Sequence, residues 1–548
     1  MVGPQYPPVA FAVATAPGPR CLGLAPGYDD PVREARWVSG DLGDLEGAVD
    51  ERLSRLKEVV PRIWARDHTV WRDDPTEITD RLGWLDAPER ARGHVDAWGT
   101  FAQEVGGRGF THAVLLGMGG SSLAPEVFRF VFGVAPDALD LRILDSTHPD
   151  AIAAVERDVP LDRALFVASS KSGTTIETRS HMDHFLELTG DPSRFVAITD
   201  PGSPLERAAH ERGFLRVFSS PPDVGGRYSA LTEFGLVPAA LIGADLDGLL
   251  NEASAAVEAC GPDVPVEENP GAVLGAILGE AALAGRDKCT TTVDGTLSDT
   301  VEDARPPLQL GAWIDQLLAE STGKEGKGIL PVDMEPQGSP RVYGDDRLFL
   351  ALEVTPDLAP YVTLRGEQPQ QLGRSMFVLE FATAVAGHVL GIHPFDQPDV
   401  QSAKDRTAEL LRSMEIPQER ERDPGELLAS VRPGDYVAIQ AFVAPSDETG
   451  RELQAVRARI RDRLRVATTL GYGPRYLHST GQFHKGGPAT GVFLQVFDEP
   501  KEDRPIPGRD FTFGQLIAAQ AAGDLAALRE RGRRAARVPR EALLAWNG

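Results

Sequence analysis

Apolar positions along the chain follow two different periods. From about residue 43 to 105, stretches such as LEGAVDERLSRLKEVVPRIWA and VDAWGTFAQEV place them at helical spacing. From HAVLLGMGGSSLAPEVFRFVF onward, short apolar runs are each followed by a polar turn and a new helical pattern, as in ALFVASSKSGTTIETRSHMDHFLEL, with LRILDS and FVAITD as further short runs. Strands alternating with helices predict a parallel sheet covered on both faces. A second alternating region spans about 270 to 410, with CTTTVDG, GILPV and YVTLRG as strands and LGAWIDQLLAES and SMFVLEFATAVAGHVLG as helices. The last segment offers strands DYVAIQAFV and GVFLQVFD around a helix ELQAVRARIRDRLRVATTL, and is expected to add strands to the second sheet and end in a helix. The first 40 or so residues, rich in Pro and Gly, predict an irregular arm.

The expected organisation is therefore an arm and helical lead-in over 1–105, a first α/β domain over 106–250, a second over 265–424, and added strands with C-terminal helices over 425–548. Length supports more than one core, since single cores stop growing near about 250 to 300 residues. Hydrophobic residues at 42% and charged residues at 25% are ordinary for a globular chain.

Charge narrows the partners. With 56 Lys plus Arg against 81 Asp plus Glu, nucleic acid and anionic membrane are disfavoured, and any anionic ligand needs a local positive site. The cysteines Cys21, Cys260 and Cys289 have neither metal-like nor disulfide spacing, which fits a reducing compartment. AFAVATA lacks a preceding basic region, and no run reaches the roughly 18 apolar residues of a membrane span, so a soluble cytoplasmic protein is expected.

The turns after two predicted strands carry the candidate chemistry. GMGGSSLAP, residues 117–125, lacks the last glycine of a dinucleotide turn because Ser122 stands there, but its glycines and serines suit a phosphate at a helix start, or a capped turn without a ligand. SSKSGTTIET, residues 169–178, adds a lysine and several hydroxyls; it suits a phosphate monoester, or a Ser/Thr-capped helix start. Both turns fall at the carboxyl ends of strands, where such sheets bind ligands. Arg227 in VGGRYSALTEFG could stabilise a developing oxyanion or pair on the surface. Gln316 and Glu320, four apart, share a helix face, so Glu320 is either a base or a solvated helix glutamate. Asp396 and Gln397 lie in a proline-bounded turn, with Lys404 seven residues after Gln397. His181 and His184 have helical spacing but no third ligand in any pattern, so no metal is expected. The arginines from Arg529 to Arg540 are expected on a salt-bridged surface helix.

Taken in order, G-x-G-G-S, S-K-S-G-T-T-x-E-T, G-G-R-Y-S, Q-x-x-x-E-S-x-G-K and F-D-Q-P-x-V-x-x-x-K resemble the glucose-6-phosphate isomerase family over about residues 60 to 410. The segment GYGPRYLHSTGQFHKGGPATGVFLQV is similar to the isomerase part of bacterial transaldolase/glucose-6-phosphate isomerase fusions, and a stand-alone isomerase is expected. The resemblance implies two sugar-isomerase (SIS) domains, each a flavodoxin-like three-layer αβα sandwich, in a homodimer that takes a sugar phosphate and needs no cofactor or metal. It implies that Gly120 and Ser121 contact the sugar, that Ser170, Lys171, Ser172 and Thr175 hold its phosphate, and that Gln316 positions hydroxyls. Glu320 would be the base passing a proton between C2 and C1 through a cis-enediol, Arg227 would steady the enediolate, and Lys404 would assist ring opening with Gln397 nearby. The family's ring-opening histidine at the start of the long helix is replaced by Arg374; His484 is the expected substitute, with His388 packed on its helix and His393 capping a turn. A non-catalytic phosphosugar sensor is the alternative, which would need the phosphate turn and not the base.

Overall fold

A computed structural model describes residues 37–292, 310–352, 358–364, 366 and 368–548. Its strands are Val38–Asp41 (β1), His112–Gly117 (β2), Asp140–Leu144 (β3), Ala164–Ser169 (β4), Phe195–Thr199 (β5), Arg216–Ser219 (β6), Lys288–Thr292 (β7), Leu330–Val332 (β8), Arg347–Ala351 (β9), Tyr361–Leu364 (β10), Tyr436–Phe442 (β11), Ala467–Tyr472 (β12), Gly491–Phe497 (β13) and Arg534–Arg537 (β14).

The first sheet has the order β3-β2-β4-β5-β6, all parallel. Every residue of β4 is buried, as expected of a parallel strand covered on both faces. Alternation sends Ala113, Leu115, Leu165 and Val167 to a core shared with the helical lead-in and the second domain. Val114, Leu116, Phe166 and Ala168 face the other way, onto Phe513, Leu516 and Ala519 of the helix Phe513–Glu530 and Leu411 of the helix Gln401–Ser413. The C-terminal segment thus covers one face of the first sheet. A Thr512/Gln515 capping box starts the covering helix.

The second sheet, β1-β10-β9-β7-β8, is parallel except where β1 closes it antiparallel to β10. Two parallel sheets with helices on their faces match the expected three-layer architecture. The predicted strand CTTTVDG is described as far as Thr292, and Cys21 lies outside the described residues. Cys260 and Cys289 are buried free thiols, which burial pushes up to about 12.

Residues after 425 depart from expectation. Their strands do not extend the second sheet but form one of their own, β12-β11-β13-β14, all parallel. The seven residues of β11 are buried throughout, so this strand needs a neighbour on each side and becomes the centre of a sheet. The helix predicted through ATTL stops at Leu464, because Arg465 takes a left-handed conformation with φ of 55°, and ATTLGY is β12. The arginine cluster expected on a surface helix includes a strand: Arg534–Arg537 is β14. The sequence RLFLA, unassigned above, is β9, buried throughout.

Candidate active site

The first sheet reverses its winding between β2 and β4, and the register pairs Gly117 with Ser169. Both polar turns therefore leave adjacent strands at the carboxyl edge, where the outward divergence of the connections leaves a crevice.

Close backbone approach fixes the first turn. Gly119 has φ of +56°, and a Cβ on Gly120 would lie 1.9 Å from Gly226 O. The turn holding Gly120 and Ser121 is thus seated directly on the Gly225–Arg227 turn, which explains why Gly119 and Gly120 are glycines. Ser122 Oγ donates to Gly119 O, and Ser121 is nearly buried.

In the second turn hydroxyls pair with one another. Ser170 Oγ and Thr175 Oγ1 are 2.9 Å apart, as are Ser172 Oγ and Thr174 Oγ1. Gly173, φ of +66°, packs its backbone against Leu205. The helix Ile176–Thr189 begins here and points its N-terminus at the turn. Lys171 is not a free charge as the sequence suggested: its Nζ donates to Asp200 Oδ2 at 2.7 Å and to Pro222 O at 3.1 Å. Burial pushes the lysine down and the aspartate up. Hydroxyls and helix start are what this turn presents to an anion.

Arg227 organises the opposite wall. It is only 3% exposed; Nε donates to Ser321 Oγ at 2.8 Å, Nη1 to Gln397 Oε1 at 2.9 Å, and Nη2 to the carbonyls of Pro394 and Asp396, both at 2.8 Å. Its Nη1 also lies 3.4 Å from Glu320 Oε1. On the helix Gly311–Thr322, Gln316 Nε2 donates to Glu320 Oε2 at 2.9 Å. Both carboxylate oxygens are thereby held, one by an amide and one facing a guanidinium. Gln316 also lies beside the first turn, since a Cβ on Gly119 would meet its Nε2 at 2.8 Å.

Two groups that sequence reasoning did not single out complete the cluster. Lys324 is buried, its Nζ donating to Asp396 Oδ1 at 2.6 Å and to His393 O at 2.6 Å. Burial first, and the charge of Arg227 next, push it down to about 7. The quoted motif Q-x-x-x-E-S-x-G-K ends on this lysine, which was the available signal. The second is an acid–histidine pair. Glu177, inside SSKSGTTIET, is fully buried, and its Oε1 accepts from His478 Nε2 at 3.0 Å and from Gln520 Nε2 at 2.7 Å. Burial pushes the Glu177 carboxyl up, but the ring of His478, with Lys404 further off, outweighs it and holds the group below its usual range. His478 also borders the first turn, its carbonyl 2.9 Å from where a Gly119 Cβ would sit.

His478 belongs to the short turn after β12. Arg475, in the same turn, ties it to the first sheet: Nη1 donates to Asp145 Oδ2 at 2.9 Å and Nη2 pairs with Glu126. His484 keeps different company. It is 3% exposed, its Nδ1 is 2.9 Å from Tyr436 OH, and Tyr476 and Phe493 pack on its ring, with its pKa pushed well down by burial. The histidine expected to replace the family's ring opener is therefore enclosed in the third sheet's core, while His478 stands between the two turns. Arg374 lies over Trp37 and pairs with Glu252. His388 Nδ1 meets Val70 O, and His393 Nδ1 accepts from Phe395 N. His181 and His184 meet Ser146 O and Glu156 separately.

The profile of the phosphoglucose isomerase family matches residues 95–344. A glucose-6-phosphate isomerase of Citrifermentans bemidjiense is 30% identical over 538 residues, covering 90% of each chain. One of Rubrobacter xylanophilus is 29% identical over 432 residues, covering 66% of this chain and 95% of that one. Among solved structures, a hypothetical protein of Thermus thermophilus superposes with a TM-score of 0.56 at 25% identity, over 67% of this chain and 97% of its own. A glucose-6-phosphate isomerase of Chlamydia trachomatis shares the fold with a TM-score of 0.50 at 20% identity, over 68% of this chain and 85% of its own.

Proposed function

The chain belongs to the glucose-6-phosphate isomerase family, and we propose that it interconverts glucose 6-phosphate and fructose 6-phosphate on the cluster around Glu320. The observation that carries the assignment of roles is the held carboxylate: Gln316 Nε2 at 2.9 Å on one oxygen, Arg227 Nη1 at 3.4 Å from the other. A base so fixed, opposite a turn of hydroxyls at a helix start, has a substrate anchored by its phosphate within its reach.

In this reading Ser170, Ser172 and Thr175 take the phosphate, with Lys171 stiffening the turn through Asp200. Gly120 and Ser121 border the sugar. Glu320 removes the proton from C2 and returns it to C1, and Arg227 stabilises the enediolate oxygen. Gln397 stays on the arginine. Ring opening falls to the side where Lys404 and His478 influence Glu177. With its Nε2 proton donated to Glu177, His478 leaves its other nitrogen to move a proton at the ring oxygen or C1 hydroxyl, and is favoured over His484 for this step by its place between the turns. A homodimer and a cytoplasmic setting belong to the same proposal; light scattering tests the first.

The test is Glu320→Gln. Isomerase activity is expected to fall by about 10² to 10⁴-fold with binding of fructose 6-phosphate retained, which separates an enzyme from a sensor. Full activity in this variant would refute the mechanism.

A further inference from the structure

Beside Glu320 and its partners, and sharing Lys324 and Asp396 with that cluster, a cavity of about 600 Å³ opens where the segments 324–326, 396–399, 485–489 and 531–533 meet. This is within the range of small-molecule pockets, about 300 to 1,000 Å³. Glu320, Gln316 and Arg227 do not line it. Gly326, Gly486 and Gly487 do, so much of its wall is bare backbone.

Its charges are almost all matched. Lys324 pairs with Asp396 at 2.6 Å, Arg531 with Asp399 at 2.5 Å, and Lys485 with Asp524 at 2.5 Å, while Glu325 pairs with Arg72. Asp399 is further committed to the amide of Gln482 at 2.7 Å. Arg533 is the exception. Its Nη2 donates to the carbonyls of Lys485 and Gly487, both at 2.7 Å, its Nε is buried without a partner, and no ion pair joins it to a carboxylate among the described residues. Two neutral carbonyls orient the half-buried guanidinium, and Asp399 acts on its charge only at longer range, without a direct ion pair. A cation held this way beside a ligand-sized cavity is the local positive site that an anionic ligand needs in a chain with net charge of −25.

We propose that this cavity binds a small phosphate-bearing anion through Arg533, at a site separate from the substrate's. Planar guanidinium geometry favours phosphate oxygens. The site adjoins the reaction centre through Asp396, which lines the cavity and whose carbonyl accepts from Arg227.

Calorimetric titration of inorganic phosphate into the full-length protein tests this. The wild type is expected to show two sites, Arg533→Met one, and Thr175→Val the other, with affinity at the lost site falling by about tenfold or more. Phosphate binding left unchanged in both number of sites and affinity by Arg533→Met, loss of all phosphate binding in Thr175→Val, or no binding by the wild type overturns the proposal. A single wild-type site that persists in Thr175→Val and disappears in Arg533→Met supports it and counts instead against the phosphate turn. Should Arg533→Met melt early, Arg533→Gln keeps amide donors for the carbonyls without the charge, and the same outcomes apply.

Discussion

Gly120→Ala puts the seating of the two glycine turns to a quantitative test. The added Cβ would lie 1.9 Å from Gly226 O and 2.4 Å from its carbonyl carbon. Ordinary contact begins near 3.4 Å, so the turns must part by about 1.5 Å. Both colliding groups are backbone, and no rotamer relieves them. Gly226 runs into Arg227, whose guanidinium is pinned to Ser321, Gln397, Pro394 and Asp396. The displacement is therefore taken up either by the Gly120–Ser121 turn or by the arginine facing Glu320, and both are parts of the proposed reaction centre. A misplacement of about 1 Å can cost about 10²-fold in rate, and overpacking about 1 to 3 kcal/mol in stability. The expected result is a fall in kcat/KM of about 10²-fold, measured by coupling glucose 6-phosphate formation to a dehydrogenase, with a lowered melting temperature. Wild-type kcat/KM together with unchanged melting would refute the seating argument.

His478→Asn is expected to slow anomerisation of glucose 6-phosphate, followed by NMR exchange, by about 10²-fold or more while C2 proton exchange on open-chain sugar survives; Glu320→Gln should show the reverse split, and an unaltered anomerisation rate would remove His478 from ring opening. His181, fully buried and held down to about 4 chiefly by burial, makes folding acid-sensitive. The unfolded chain binds that proton near 6.5 and the native one does not until about 4, so this contribution is intact above 6.5 and is lost as pH falls from 6.5 to 4, amounting to about 2 kcal/mol at pH 5. Thermal melting at pH 7.5 and pH 5 should show a smaller acid-induced drop in His181→Gln than in the wild type; equal drops would contradict it.

Chemistry written within one short stretch was legible, and chemistry created by packing was not. Glu320 and Gln316 share a helix face by spacing alone, and the two hydroxyl turns follow their strands directly, so the structure finds them where periodicity put them. Lys171 was legible as a charge, but its neutralisation by Asp200 comes from the next strand's turn. Glu177 stood in the quoted motif without a role because its partners, His478 and Gln520, are more than 300 residues away. His478 and His484 lie six apart in one glycine-rich run, and nothing local tells which faces the sheet edge. Among the elements, β12 was absorbed into a helix because a left-handed arginine is invisible in a row of arginines, and β14 was masked by its own charge.

The clamp at Arg475 bears on what the third sheet is for. Apolar contact already holds the C-terminal helices on the first sheet, through Phe513, Leu516 and Ala519. Partly burying an arginine between Glu126 and Asp145 is a poor way to add stability, because the desolvation of three charges offsets much of their attraction. What such a triad does supply is register: the guanidinium satisfies both carboxylates in one position of the turn only. That turn also carries His478, and Gln520 from the covering helix reaches the same Glu177 oxygen, with Thr147 closing the chain onto the first domain. Arg475, His478 and Gln520 of the third unit thus converge on the carboxyl edge of the first sheet. Under the proposed mechanism, residues 425–548 place His478 beside the proposed phosphate turn, where it takes the ring-opening role that Arg374, paired with Glu252 at the start of the long helix, does not fill.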